Sequence, residues 1–192
     1  MGNPKRGRVA VGASTKPQAF PNLVDLHKSH YGLIKEVCRS FAQAACVAFD
    51  RHHNPPIDIS IKNGTRSLVR RAKWRKPSAR AKASWGNRDD ATRDGAYAVS
   101  IASMEVAEGL YAVGRTETRT GADYYLGRDK TATDLERAFR LEVSGTDGGE
   151  SEAASRLKQK KVQATVGASD LPAFAAVVSF RDCVVLYGTA EG

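Results

Sequence analysis

Apolar positions change period along the chain, and the changes mark out its elements. Between Asn22 and His52, Ile34, Val37, Cys38, Phe41, Ala45, Ala48 and Phe49 recur at three- and four-residue steps. One apolar stripe of that kind predicts a single long helix over 22–52. Asn22, after Pro21, is its expected N-cap, and Asp25 falls in its first turn. His53-Asn54-Pro55-Pro56 ends it, because proline lacks the amide donor and crowds the preceding turn. Ile57-Asp58-Ile59-Ser60-Ile61 then alternates strictly, which predicts a strand with one buried face. Asn63-Gly64 is a turn signal, with Thr65–Trp74 as the hairpin partner.

The second half reads more densely. Asp89-Asp90 opens a helix running to about Leu110, since acids near an N-terminus favour the helix dipole. Tyr111 begins a strand that the polar Arg115–Thr120 carries into a turn at Gly121. A strand bearing Asp123 ends at Gly127, and 128–133 is a loop. Leu135–Phe139 leads into a strand bearing Glu142 that ends at Gly145, and Asp147-Gly148-Gly149 is a tight loop. A third helix is expected from Glu150 to about Gly167, acidic first and basic later, as the dipole favours. Pro172–Phe180 is continuously apolar, the pattern of a strand covered on both faces. Arg181-Asp182 turns the chain into a last strand, Cys183–Tyr187. The fold class is therefore α+β. The expected organisation is a flexible basic leader, 1–21, and one domain, 22–192, with an extension at 22–88 and the core at 89–192.

Charge adds a partner. The formal net charge is +9, and an excess of that size favours a polyanion, nucleic acid above all. Lys62–Lys82 concentrates it, with nine cations and no acid. Arg70, Arg71, Lys73, Arg75 and Lys76 are candidates for phosphate contacts, and Trp74 for base stacking. DNA is expected before RNA. The alternative is a solvated face whose tryptophans belong to the core. The amphipathic first helix suits docking on a protein partner. No apolar run is long enough to cross a bilayer, and the start of the chain lacks a signal-type apolar segment, so no membrane is expected. Three cysteines without C-x-x-C spacing read as reduced thiols of a cytoplasmic protein.

Two carboxylates carry the candidate chemistry. Asp123 and Glu142 each sit in a short apolar β-type run, where a lone acid needs a partner. A shared divalent cation would be one. The alternatives are ion pairs, Asp123 with Arg119 or Arg128 and Glu142 with Arg140. Glu105, on the second helix, is a candidate additional acid or a plain surface glutamate. His27 with His30 and His52 with His53 are at metal-ligand spacing, but solvent-facing or capping roles are commoner. Gly148-Gly149 before a helix would suit an anion, except that Asp147 and Glu150 flank it.

Helix, three strands, helix, strand, with Gly-Ala-Asp123-Tyr on one strand and Glu142-Val143-Ser144 on the next, resembles the PD-(D/E)XK nuclease superfamily. The resemblance covers 89–187 and implies an αβββαβ core with a mixed β-sheet flanked by helices. It also implies that Asp123, Glu142 and the carbonyl of Val143 hold Mg²⁺ for phosphodiester hydrolysis. Ser144 stands where the motif has lysine. A hydroxyl supplies no cation, so either the third helix supplies one, from Arg156, Lys158 or Lys160, or the site no longer cuts. The expected function is thus a metal-dependent endonuclease-like enzyme, with Asp123, Glu142, Ser144, Lys158 and Lys160 as its catalytic set. A restriction, repair or anti-phage assembly would be its setting. A non-catalytic nuclease-fold subunit and an unrelated basic α+β interaction protein are the alternatives.

Overall fold

The computed structural model describes residues 16–118, 120–131, 135–166 and 170–190. Its elements, in order, are β1 (Gln18–Ala19), a 3-10 helix (Leu23–Lys28), α1 (Lys35–Asp50), β2 (Ile57–Asn63), β3 (Arg66–Ala72), α2 (Ala79–Ser84) and α3 (Arg88–Glu108). Then come β4 (Tyr111–Arg115), β5 (Tyr124–Gly127), β6 (Phe139–Thr146), α4 (Glu150–Val166), β7 (Ala173–Ser179) and β8 (Val184–Ala190). All eight strands form one mixed sheet in the order β1-β3-β2-β8-β7-β6-β5-β4. The protein is α+β, with helices on both faces of that sheet. Among the described residues no helix is long and apolar enough to cross a membrane.

Local chemistry explains most boundaries. Asn87 caps α3 by accepting from the Asp89 and Asp90 amides, and Gly109 ends it at φ 63°, a left-handed conformation that glycine adopts without strain. Gly64 turns the β2–β3 hairpin at φ 56°. All of β7 is buried, because α3 packs on one face of the sheet and α4 on the other. β6 shows the two faces directly. A Cβ on Gly145 would meet the carbonyl oxygen of Thr92 and the Ala96 methyl on α3, whereas Glu142 faces Lys160 of α4. Alternation along the strand puts those two positions on opposite sides. The β6–α4–β7 unit is a parallel crossover, and β5 and β7 flank β6 antiparallel and parallel.

Two expectations change. The helix expected over 22–52 is two pieces, a 3-10 turn and α1, with an irregular stretch between them. Gly32 lies in that stretch, and a Cβ there would collide with the Gly114 amide nitrogen on β4. His30 is fully buried beside it, and its Nδ1 accepts the Ala112 amide. Docking onto β4 therefore outweighs helix continuation. Asn22 precedes the 3-10 helix but caps no amide with its side chain, donating instead to Asp25. The expected leader also contains structure, because Gln18–Ala19 pairs parallel with Arg70–Arg71. The remainder of that leader, 1–15, lies outside the described residues, as do Arg119 and the expected helix end at Gly167.

Candidate active site

The cleft exists because β6 outruns its neighbour. β5 pairs with β6 only as far as Tyr124 opposite Leu141, so from Glu142 onward one side of β6 has no strand beside it. Asp123, just ahead of β5, closes the first part of that edge. Its amide donates to the Leu141 carbonyl (2.8 Å), and its Oδ2 accepts from the Val143 amide (2.9 Å). Beyond it lies a cleft of about 600 Å³, walled by α3 through Thr92, Arg93 and Tyr97 and by α4 through Glu152, Arg156 and Lys160. Asp123, Glu142 and Ser144 line it together.

The acids are neighbours with different surroundings. Asp123 Oδ1 accepts from the Tyr97 hydroxyl at 2.9 Å, so both of its oxygens are held and the carboxylate is oriented. Tyr97 is itself pushed up to about 12, by burial and then by the adjacent Asp123, so it stays a neutral donor. Glu142 sits with its side chain 12% exposed and its Oε1 2.6 Å from Lys160 Nζ. Its pKa is raised. Burial is the largest cause; the Lys160 hydrogen bond opposes it, and the Asp123 charge adds to it. Two carboxyls this close repel when both ionise, and a cation relieves them. Lys160 supplies that positive charge here.

The remaining cations of the cleft are engaged as well. Arg156 contacts Glu152 and donates to the Gly145 carbonyl, and Arg93 contacts Asp90 and Asp94. Asp147, at the far end, collects Arg51, Arg88 and His52. Burial pushes its carboxyl up, but the Arg88 hydrogen bond, the Arg51 charge and His52 outweigh that and hold it below the usual range. At the N-terminus of α4, Asp182 accepts the Glu150 amide at 2.6 Å, so a carboxylate of the chain already sits there.

The sequence-derived residues now have places. Lys160 reaches the acid pair, while Lys158, two residues away and so on another side of the helix, is exposed. Ser144 lines the cleft one alternation beyond Glu142. Val143 contributes its amide, which anchors Asp123. Glu105 is not near the pair. It lies eight residues beyond Tyr97 on α3, about 12 Å along the axis, and accepts from His30 Nε2 at 3.0 Å. That hydrogen bond lowers its pKa against the effect of burial. Of the alternative ion pairs for the two acids, Asp123 with Arg128 and Glu142 with Arg140 are absent, and Arg119 lies outside the described residues. Arg140 donates to the carbonyls of Leu171 and Thr120, and Arg128 lies over the Phe139 ring. His30 is occupied on both nitrogens by Ala112 and Glu105, and His53 faces the carbonyls of Phe180 and Arg181.

In the basic segment, Arg71 pairs with Asp58 across the hairpin through two bonds of 2.7 and 2.8 Å. Trp74 corrects an expectation: its ring stacks on Phe49, 5.5 Å between centroids, and packs on the core rather than standing free for a base. Lys73, Arg75 and Lys76 are exposed and have no ion pair among the described residues. Among the described residues, Arg70 donates to the Val69 carbonyl.

Sequence reasoning missed Tyr97. One signal was available: Tyr97 is a large polar aromatic among the small residues of α3, on the turn that faces the Asp123 strand. Among the described residues no group of three or more His, Cys, Asp or Glu side chains is arranged to hold a metal ion. The two carboxylates are oxygen donors of the kind a hard divalent cation takes, with waters completing its shell. No protein-family model, curated protein or solved structure matches the chain.

Proposed function

We propose that the chain is a metal-dependent, nuclease-like protein of the PD-(D/E)XK type that acts on nucleic-acid phosphodiesters. The observation that carries this reading is the placement of Glu142 between Asp123 and Lys160 at the open edge of β6. Asp123 and Glu142 would hold Mg²⁺. A bound Mg²⁺ supplies a water of lowered pKa and offsets charge growing on the phosphodiester. The chain's own groups do the rest. Tyr97 and the Val143 amide fix Asp123. Lys160 would supply, from α4, the cation that Ser144 cannot, and its hydrogen bond opposes the effect of burial on Glu142. Ser144 offers a hydroxyl that hydrogen-bonds a water beside the pair. Lys73, Arg75 and Lys76, with no acid neutralising them among the described residues, are suited to a phosphate backbone. A restriction, repair or anti-phage assembly is the setting this chemistry suits.

The test is cleavage of plasmid and single-stranded DNA with Mg²⁺ or Mn²⁺, using Glu142→Ala and Lys160→Met as controls. Cleavage by the wild type, lost in both variants, supports the reading. Equal cleavage by all three means contamination and sinks it. Salt-sensitive binding without cleavage assigns the fold to a non-catalytic nucleic-acid-binding subunit.

A further inference from the structure

Three cations line the cleft, and they are held differently. Arg93 is bound to Asp90 and Asp94 on its own helix. Arg156 is bound to Glu152, one turn back on α4, and its Nη1 donates to the Gly145 carbonyl at 3.0 Å. Lys160 alone among these three is bound to an acid of the central pair, with its Nζ 2.6 Å from Glu142 Oε1. The backbone of Lys160 is fixed, because it lies inside α4, which packs on β6, β7 and β8. Its ammonium is not fixed in the same way. It ends a flexible four-carbon stem, and the side chain is 26% exposed in an open cleft.

The contact that Lys160 makes lies where an ion shared by the two acids would draw its ligands. Asp123 has one lone-pair direction on each oxygen already taken, by the Tyr97 hydroxyl and the Val143 amide, both at 2.9 Å. A shared ion therefore leans on Glu142. Mg²⁺ sits about 2.1 Å from its carboxylate ligands, so an ammonium on the same carboxyl would be its immediate neighbour. Two cations that close repel strongly where protein walls exclude part of the screening water.

We propose that Lys160 exchanges with the divalent ion at Glu142. Without the ion, its ammonium neutralises the acid pair. When the ion is bound, Lys160 yields Glu142 and its ammonium turns into the cleft. Lys160 is then the cleft cation, among the described residues, that no carboxylate holds, and it is free to meet a phosphate oxygen. Ion and phosphodiester binding are thereby coupled, each favouring the other. The inference rests on the metal-dependent reading above and adds to it an order of events at Lys160.

The experiment uses the full chain at pH 8 without nucleic acid, as wild type, Lys160→Met and Glu142→Gln. Mn²⁺ binding is read from the loss of the free-ion electron paramagnetic resonance signal. Lys160→Met should bind Mn²⁺ at least about tenfold more tightly than wild type, as removal of a like charge a few ångströms away does. Acetylation of lysine amines is followed by mass spectrometry, with Lys158, exposed on the same helix, as internal reference. Mg²⁺ should raise the labelling rate of Lys160 toward that of Lys158 in the wild type. In Glu142→Gln, Lys160 should label at the raised rate with or without Mg²⁺. Equal or weaker Mn²⁺ binding by Lys160→Met overturns the exchange, and so does wild-type labelling of Lys160 that Mg²⁺ leaves unchanged. Should Lys160→Met not fold, the wild-type labelling decides. These outcomes leave the metal-dependent reading standing if the wild type binds Mn²⁺ and Glu142→Gln does not. Mn²⁺ bound by neither wild type nor Lys160→Met sinks that reading, and the exchange with it.

Discussion

The two concave regions of this protein have opposite electrostatic character. Asp89, Asp123, Glu142, Asp147 and Glu152 line the cleft, against Arg93, Arg156 and Lys160. The other, an aromatic cavity beside β1 and β3, has Lys16, Arg71 and Lys73 and no acid among its described lining residues. In the cleft every one of those cations is bound to a carboxylate. Along 73–76 the exposed cations pair with nothing described. The difference teaches where the net positive charge is available. A surplus of acid around a desolvated pair attracts a small cation, whereas unpaired lysine and arginine attract a polyanion. α1 stands between the two: Cys46 and Phe49 line the cavity, and Arg51 and His52 near its end reach Asp147 in the cleft.

The contrast can be broken most sharply at its acidic end. Glu142→Ala should lower DNA cleavage about 10²–10³-fold, the effect typical of removing an electrostatic stabiliser of a reacting centre, with DNA binding retained in a filter or anisotropy assay. Retained cleavage would remove the cleft from the chemistry. At the other end, Lys73, Arg75 and Lys76 all changed to Glu should weaken DNA binding by orders of magnitude. They should also flatten the slope of log K against log salt by about 3, near one for each phosphate no longer neutralised. An unchanged slope would make the segment a plain solvated surface.

A smaller effect separates shape from charge. Gly145→Ala places a methyl 2.6 Å from the Thr92 carbonyl oxygen and must shift α3 against β6. It should cost about 1–3 kcal/mol by the usual penalty of overpacking, read by urea denaturation. The cleft should be disturbed and the aromatic cavity left alone. The smallest effect is on pH dependence. Glu142 has a raised pKa, chiefly from burial, so the unfolded chain releases that proton at lower pH than the folded one. Its contribution to stability is therefore greatest at low pH and is lost as pH rises from the unfolded value through the folded one. The Tm of Glu142→Gln relative to wild type should accordingly increase across that interval and then level off. A flat difference would show that Lys160 fully compensates burial. Mg²⁺ should raise the Tm of the wild type and not of the variant.

Much of the architecture was legible because its causes are local. Strict alternation in Ile57–Ile61 and the Asn63-Gly64 turn mark β2 and its hairpin, and the structure places both there. Continuous apolarity from Pro172 to Phe180 marks a strand covered twice, and β7 is buried throughout. The break in the first helix was not legible, because a three- to four-residue apolar step does not distinguish a 3-10 turn followed by a helix from one unbroken helix. What separates them is the close approach of Gly32 to Gly114, residues far apart in the chain. The acids Asp123 and Glu142 stood out as lone carboxylates in apolar strands, but their surroundings did not. Nothing near Asp123 in sequence indicates Tyr97, and nothing near Glu142 separates Lys160 from Lys158.

Taken alone, the sequence determined the alternation of elements, the concentration of positive charge at 62–82 and two acids in or immediately beside short apolar strands. Those depend on residue order and backbone preference, which act over a few positions. Tertiary structure alone decided that β5 stops where Glu142 begins and that Lys160 reaches across to it. It also decided that Glu105 belongs to His30 and that Trp74 turns into the core. Each of these depends on strand register and helix placement, set by packing across the whole sheet, so no local stretch of residues encodes them.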